Sequence, residues 1–197
     1  MNKQRLEAFS DGVIAIIITI MVLELHEPQS AEWSALRPLT ALFLSYVLSF
    51  VVLGIYWNNH HHLFQASRRV SGRVLWANLH LLFWLSLIPF GTAWMGVHEF
   101  ARAPVALYGG ILLLAGMAYN VLAKSLVKLH GADSVIARAV GDDRKGLASL
   151  LIYSTAVLIA FVAPKIAFAL YVLVAIMWLV PDPRIETRLA AGAQENA

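Results

Sequence analysis

Long apolar stretches alternate along this chain with short polar segments, and almost no charge falls inside the stretches. Six such blocks can be marked: 8–25, 36–57, 74–95, 104–127, 147–163 and 166–180. A run of ~18 or more apolar residues is the pattern of a helix that crosses a bilayer. The reading is an all-α integral membrane protein with six transmembrane helices. The sixth block is short, since ~20 residues at ~1.5 Å each are needed to cross the hydrocarbon. Pro164 and Lys165 are expected to make the turn before it. Residues 1–181 form the membrane domain. Residues 182–197, with Pro183 and an Ala/Gly/Gln finish, form a short tail expected to fray.

The polar segments carry a directional signal. Lys3, Arg5, Arg68, Arg69, Arg73, Lys124, Lys128, Arg138, Arg144, Lys145, Arg184 and Arg188 fall on the side of the N-terminus. Arg37, Arg102 and Lys165 fall opposite, a division of twelve to three. Basic residues accumulate on the cytoplasmic side, so both termini are expected there, in a plasma-membrane protein. Trp33, Trp57, Trp76, Trp94 and Trp178 lie near block ends, as an interfacial aromatic belt requires.

Composition narrows the chemistry. Of 197 residues 59% are hydrophobic and 14% charged, against about 25% charged in a soluble domain. With no cysteine, disulfides, thiolate metal sites and a cysteine nucleophile are excluded. The sequence pI of 9.3 does not imply nucleic acid, because the basic residues sit where membrane orientation explains them. Lys3 and Arg5 before an apolar run imitate a signal peptide. No small-residue cleavage site follows, so the run reads as a first span. No Ser-His-Asp set, phosphate loop or spaced carboxylate pair suggests an enzyme.

The first block is the most informative. At 100° per residue, Arg5, Phe9, Gly12, Ile16, Ile20 and Leu23 share one stripe, with Thr19 at its margin; Asp11 lies opposite and Ser10 between. An acid within a span is costly. Asp11 therefore either bonds neighbouring helices or serves an ion or proton. Thr19 can bond back to the Ala15 carbonyl one turn earlier, and the isoleucines by themselves fit ordinary packing. His60, His61 and His62 point 100° apart and cannot chelate one metal together. His80 reads as buried, holding an interhelical hydrogen bond. His61 and His80 in adjacent spans leave open a haem-carrying electron carrier. A secondary transporter is a further alternative, weakened by the lack of an internal repeat.

Arg5 followed by Phe9-Ser10-Asp11, then Gly-Val-Ile-Ala-Ile and Thr19, resembles the first helix of the transmembrane protein 175 family. That family comprises potassium-permeable channels of endosomes and lysosomes with prokaryotic relatives. Tyr56-Trp57-Asn58-Asn59-His60-His61, Asn78 and Leu87-Ile88-Pro89-Phe90 extend the likeness to later spans, as does the length. The resemblance implies a homotetramer in the lipid bilayer whose four first helices line one pore for monovalent cations. An apolar constriction at Ile16, continued by Thr19, Ile20 and Leu23, replaces a carbonyl filter. It implies no cofactor, only permeant K⁺ ions, and no tightly bound metal. Arg5, Phe9, Ser10 and Asp11, with Trp57, His60, His61 and Asn78, are the expected motif and interhelical network.

Overall fold

A computed structural model describes residues 2–141 and 143–179, and among them the regular structure is helical. The chain runs through α1 (Lys3–Leu23), a 3-10 turn (Trp33–Leu39), α2 (Thr40–Gln65), α3 (Gly72–Ser86), α4 (Ile88–Val97), α5 (Arg102–His130), α6 (Val135–Val140), α7 (Arg144–Ala160) and α8 (Pro164–Leu179). The tail at 182–197, with Arg184 and Arg188, lies outside the described residues.

Local chemistry sets the ends. Asn2, Ser71, Ser134 and Asp143 cap α1, α3, α6 and α7, each side chain accepting a backbone N–H of the first turn. Helix α5 stops at Gly131, whose φ of 94° suits glycine. Helix α2 continues eight residues beyond Trp57, because the polar turn Asn58–His62 keeps its backbone bonds; within it His60 bonds Asn78 on α3 and the Asn59 carbonyl accepts from Tyr119 on α5. The third apolar block is a single span broken at Leu87. Pro89 has no N–H to offer the carbonyl four residues earlier, so α3 ends and α4 begins at an angle set there. Pro164 and Lys165 open α8 instead of forming the turn before it, because proline is preorganised for a first helical position.

Four helical stretches among the described residues are long and apolar enough to cross a membrane: Lys3–Leu23, Trp33–Gln65, Gly72–Val97 and Arg102–His130. The fifth and sixth blocks are also helical but shorter, with 17 residues in α7 and 16 in α8.

Helix α1 packs on α2, α3 and α4. Behind them α5 carries α3, α4 and α7, and α8 closes against α7, α5 and α2. The core between these helices is apolar, with Leu53, Leu81, Leu85, Ile88, Leu112 and Leu122 fully enclosed. Small residues let helices approach. A Cβ on Gly96 would stand 2.6 Å from the Leu42 Cα, so α2 and α4 meet backbone to backbone. Three core hydroxyls pair with one another. Ser49 Oγ lies 2.6 Å from Thr92 Oγ1 and 2.9 Å from the Tyr108 hydroxyl, joining α2, α4 and α5. At the other end His130 ties α5 to the α2–α3 loop. Its Nδ1–H donates to the Leu126 carbonyl at 2.9 Å. Its Nε2 accepts the backbone N–H groups of Arg68 and Arg69 at 3.1 and 3.3 Å.

Candidate functional site

The two faces of α1 have opposite fates in one chain. Leu6, Ser10, Ile14, Ile17 and Met21 are buried against the other helices. The predicted stripe is not: Phe9 is 52%, Ile16 58%, Ile20 42% and Leu23 75% exposed, and Gly12 and Thr19 are exposed with them. Beyond the backbone of its own helix, a Cβ built on Gly12 meets nothing within 4 Å. A helix in the first position of the bundle thus shows a continuous apolar face, with a hydroxyl at its edge, to whatever lies outside the protomer. Thr19 Oγ1 donates to the Ile16 carbonyl at 2.9 Å, one residue later than the Ala15 carbonyl expected from the sequence. Its hydrogen is thereby spent within the helix, and its oxygen lone pairs stay available on the exposed side.

A directional hydrogen-bond chain holds the buried face. Asn78 Oδ1 can only accept, so His60 Nε2–H donates to it at 2.8 Å. Asn78 Nδ2 donates to Ser10 Oγ at 2.9 Å, and Ser10 Oγ donates to the Leu6 carbonyl at 2.9 Å. The three side chains are enclosed, Ser10 and Asn78 at 0% and His60 at 1% exposure, so α1, α2 and α3 share one dry polar seam. Nearer the surface, Trp57 Nε1–H donates to Asp11 Oδ1 at 3.1 Å, and His61 stacks on the Trp57 ring at 6.1 Å.

The structure therefore brings Ser10, Asp11, Trp57, His60, His61 and Asn78 together, as the sequence motif suggested. Three expectations change. Arg5 and Phe9 stand outside the network: both are exposed, and Arg5 makes no hydrogen bond or ion pair among the described residues, because their stripe faces away from α2 and α3. His80 is exposed and accepts from Trp84 Nε1 at 2.9 Å within its own helix. Two residues beyond Asn78, it is turned ~200° from the seam. Among the described residues no three His, Asp or Glu side chains converge as a metal site would require. Sequence reasoning did not find the Ser49–Thr92–Tyr108 cluster, whose members look like ordinary hydroxyls in apolar blocks.

Residues 5–89 match the family described as endosomal/lysosomal potassium channel TMEM175. A potassium channel of Chryseobacterium sp. (strain P1-3) is 50% identical over 189 residues, covering 96% of this chain and 98% of its own. A potassium channel of Streptomyces collinus (strain DSM 40733 / Tue 365) is 31% identical over 206 residues, covering 98% and 99%. The crystal structure of a lysosomal potassium-selective channel TMEM175 homolog from Chamaesiphon minutus superposes with a TM-score of 0.76 at 28% identity. The superposition covers 90% of this chain and 96% of that one.

Proposed function

Since this chain belongs to the TMEM175 potassium-channel family, we propose that it conducts potassium through one central pore lined by the α1 helices of four copies. It is a channel in a membrane, not an enzyme, and the haem-carrier and transporter readings fall away. The observation that carries the pore assignment is the exposed apolar stripe of α1. Its opposite face is held by buried contacts and the His60–Asn78–Ser10 seam, so the stripe is turned outward. One helix cannot enclose a pore, whereas several copies about an axis can.

In this reading Ile16 forms the narrowest ring, and Ile20 and Leu23 continue a dry passage. A narrow apolar tube expels water, and an ion cannot pass without its hydration shell. Opening widens the ring by tilting or turning α1, with Gly12 as the pliable point beneath it. Thr19 oxygens, one turn from Ile16, then partly replace lost waters. The chain crosses the plasma membrane six times, α7 and α8 supplying the last two spans. Both termini are cytoplasmic, as the basic residues favour.

The test is a pair of variants measured as potassium and sodium flux in proteoliposomes. Ile16→Asn hydrates the constriction, raises conductance and weakens the preference for potassium. Ile17→Asn, only 4% exposed in the helix interface, acts instead by lowering stability. If a well-folded Ile16→Asn channel conducts and selects like the parent, α1 does not line the pore.

A further inference from the structure

One turn of α2 has two duties. Trp57 and His60 face the α1 side and hold Asp11 and the Asn78 seam. Tyr56 and Asn59, on the other side of the same turn, line a cavity of about 60 Å³ between α2, α5, α7 and α8. At ~10–15 Å³ per water, that space takes on the order of four to six waters.

Its walls contain unmet polar groups. The hydroxyls of Tyr56 and Tyr153 and the side-chain amide of Asn120 line it and make no hydrogen bond among the described residues, although Tyr153 is only 6% exposed. The Tyr119 hydroxyl donates to the Asn59 carbonyl at 3.3 Å. Asp143 is the single charged side chain of the lining. Its Oδ1 caps α7 by accepting Gly146 N–H at 2.8 Å, and its second oxygen carries no such duty. Trp178 is fixed by donating to Ser149 Oγ at 2.8 Å, and the Lys145 ammonium lies 6.0 Å from the centre of its ring. Three tyrosine rings and one indole thus surround a space with one carboxylate and no lining cation.

We propose that this cavity binds a small organic ammonium of the choline class, and that occupancy sets how firmly α2 holds α1. Aromatic faces attract a cation through the ring quadrupole, and a methylated ammonium adds carbon that fits carbon walls. Val52, Ile55, Leu150 and Ala175 supply those walls. A bare alkali ion is a poorer guest, because hard cations need a close shell of oxygens on several sides. The binding itself stands independently of the pore assigned to α1; its effect on conduction rests on that assignment.

The experiment follows thermal unfolding of the purified full chain during choline chloride titration, with sodium and potassium chloride at matched ionic strength. Choline is expected to raise the midpoint saturably and the inorganic salts not to. Asp143→Asn keeps the helix cap but removes the charge, and is expected to weaken choline binding at least about tenfold, the worth of ~1.4 kcal/mol. Gly116→Leu fills the cavity, since even a Cβ there meets Leu150 Cδ2 at 3.1 Å and the Tyr56 hydroxyl at 3.7 Å, and is expected to abolish the shift. Should that variant fail to fold, Asp143→Asn decides alone. An equal rise with sodium or potassium overturns the inference, as does choline binding unchanged in Asp143→Asn. Potassium flux is read in parallel. Choline inhibition without a thermal shift, persisting in Gly116→Leu, places the ammonium in the pore and also overturns it.

Discussion

Replacing Asn78 by leucine tests what fixes α1. The two side chains are similar in size, so the substitution leaves little cavity and isolates the polar effect. It removes two interhelical hydrogen bonds, of 2.8 Å from His60 and 2.9 Å to Ser10. Such bonds between membrane helices average ~0.6 kcal/mol, which gives about 1.2 kcal/mol for the pair. The larger cost is the His60 N–H, 1% exposed, left without an acceptor at ~1–3 kcal/mol. The expected loss is therefore about 2–4 kcal/mol. Ser10 is damaged less, because its hydroxyl keeps the Leu6 carbonyl. The decisive comparison is the double variant His60→Phe with Asn78→Leu, which removes both partners and leaves no orphan. It should be more stable than the sum of the single effects by ~1–3 kcal/mol. Equilibrium unfolding in detergent micelles measures all three. Asn78→Leu within ~0.5 kcal/mol of the parent, or a strictly additive double variant, would refute a seam that holds α1 in place.

Four further outcomes are expected. Gly96→Ala must push α4 away from the Leu42 backbone, and its unfolding midpoint should fall by the equivalent of about 1–3 kcal/mol; Gly12→Ala meets nothing within the protomer, so any change it causes should appear in flux measurements and not in protomer stability. His130→Ala removes the acceptor of the Arg68 and Arg69 N–H groups, and hydrogen exchange at those two amides should rise by roughly tenfold or more, the equivalent of ~1.4 kcal/mol of lost protection. Single cysteines at Ala132 and Ser30, both exposed, should label oppositely with an impermeant thiol reagent on intact cells, Ser30 alone reacting if the termini are cytoplasmic.

Much of α1 could be read from sequence because two periodicities coincide on it. The apolar stripe marks the outward face, and the Ser10 position marks the inward one. The inward face needs a polar partner at matching depth, and Asn78 is the buried amide that supplies it. Depth alone does not place His80, because two residues on a helix keep the depth but change the face. The second helix was cut short at Trp57 because hydropathy falls there, although backbone hydrogen bonding continues to Gln65. The break at Leu87 lies inside an apolar block expected to be one unbroken span, although Pro89 stands in it, and the division of packing between α3 on α5 and α4 on α2 depends on contacts between distant segments. The cavity was invisible for the same reason: its lining comes from four helices, and each residue alone is an ordinary tyrosine, asparagine or valine.

The last hairpin of the bundle has a consequence for the lipid around it. At ~1.5 Å per residue, α7, bounded by its caps at Asp143 and Phe161, reaches ~25 Å, while the hydrocarbon is ~30 Å thick. The tip connecting it to α8 is apolar and bare, with Phe161 57% and Val162 80% exposed. In the proposed six-span arrangement, either this apolar tip dips into the hydrocarbon or the acyl chains beside α7 shorten to meet it. Each ångström of added thickness then costs a fraction of a kcal/mol at α7. Under that arrangement acyl-chain length loads a hairpin that packs on α5 and α2.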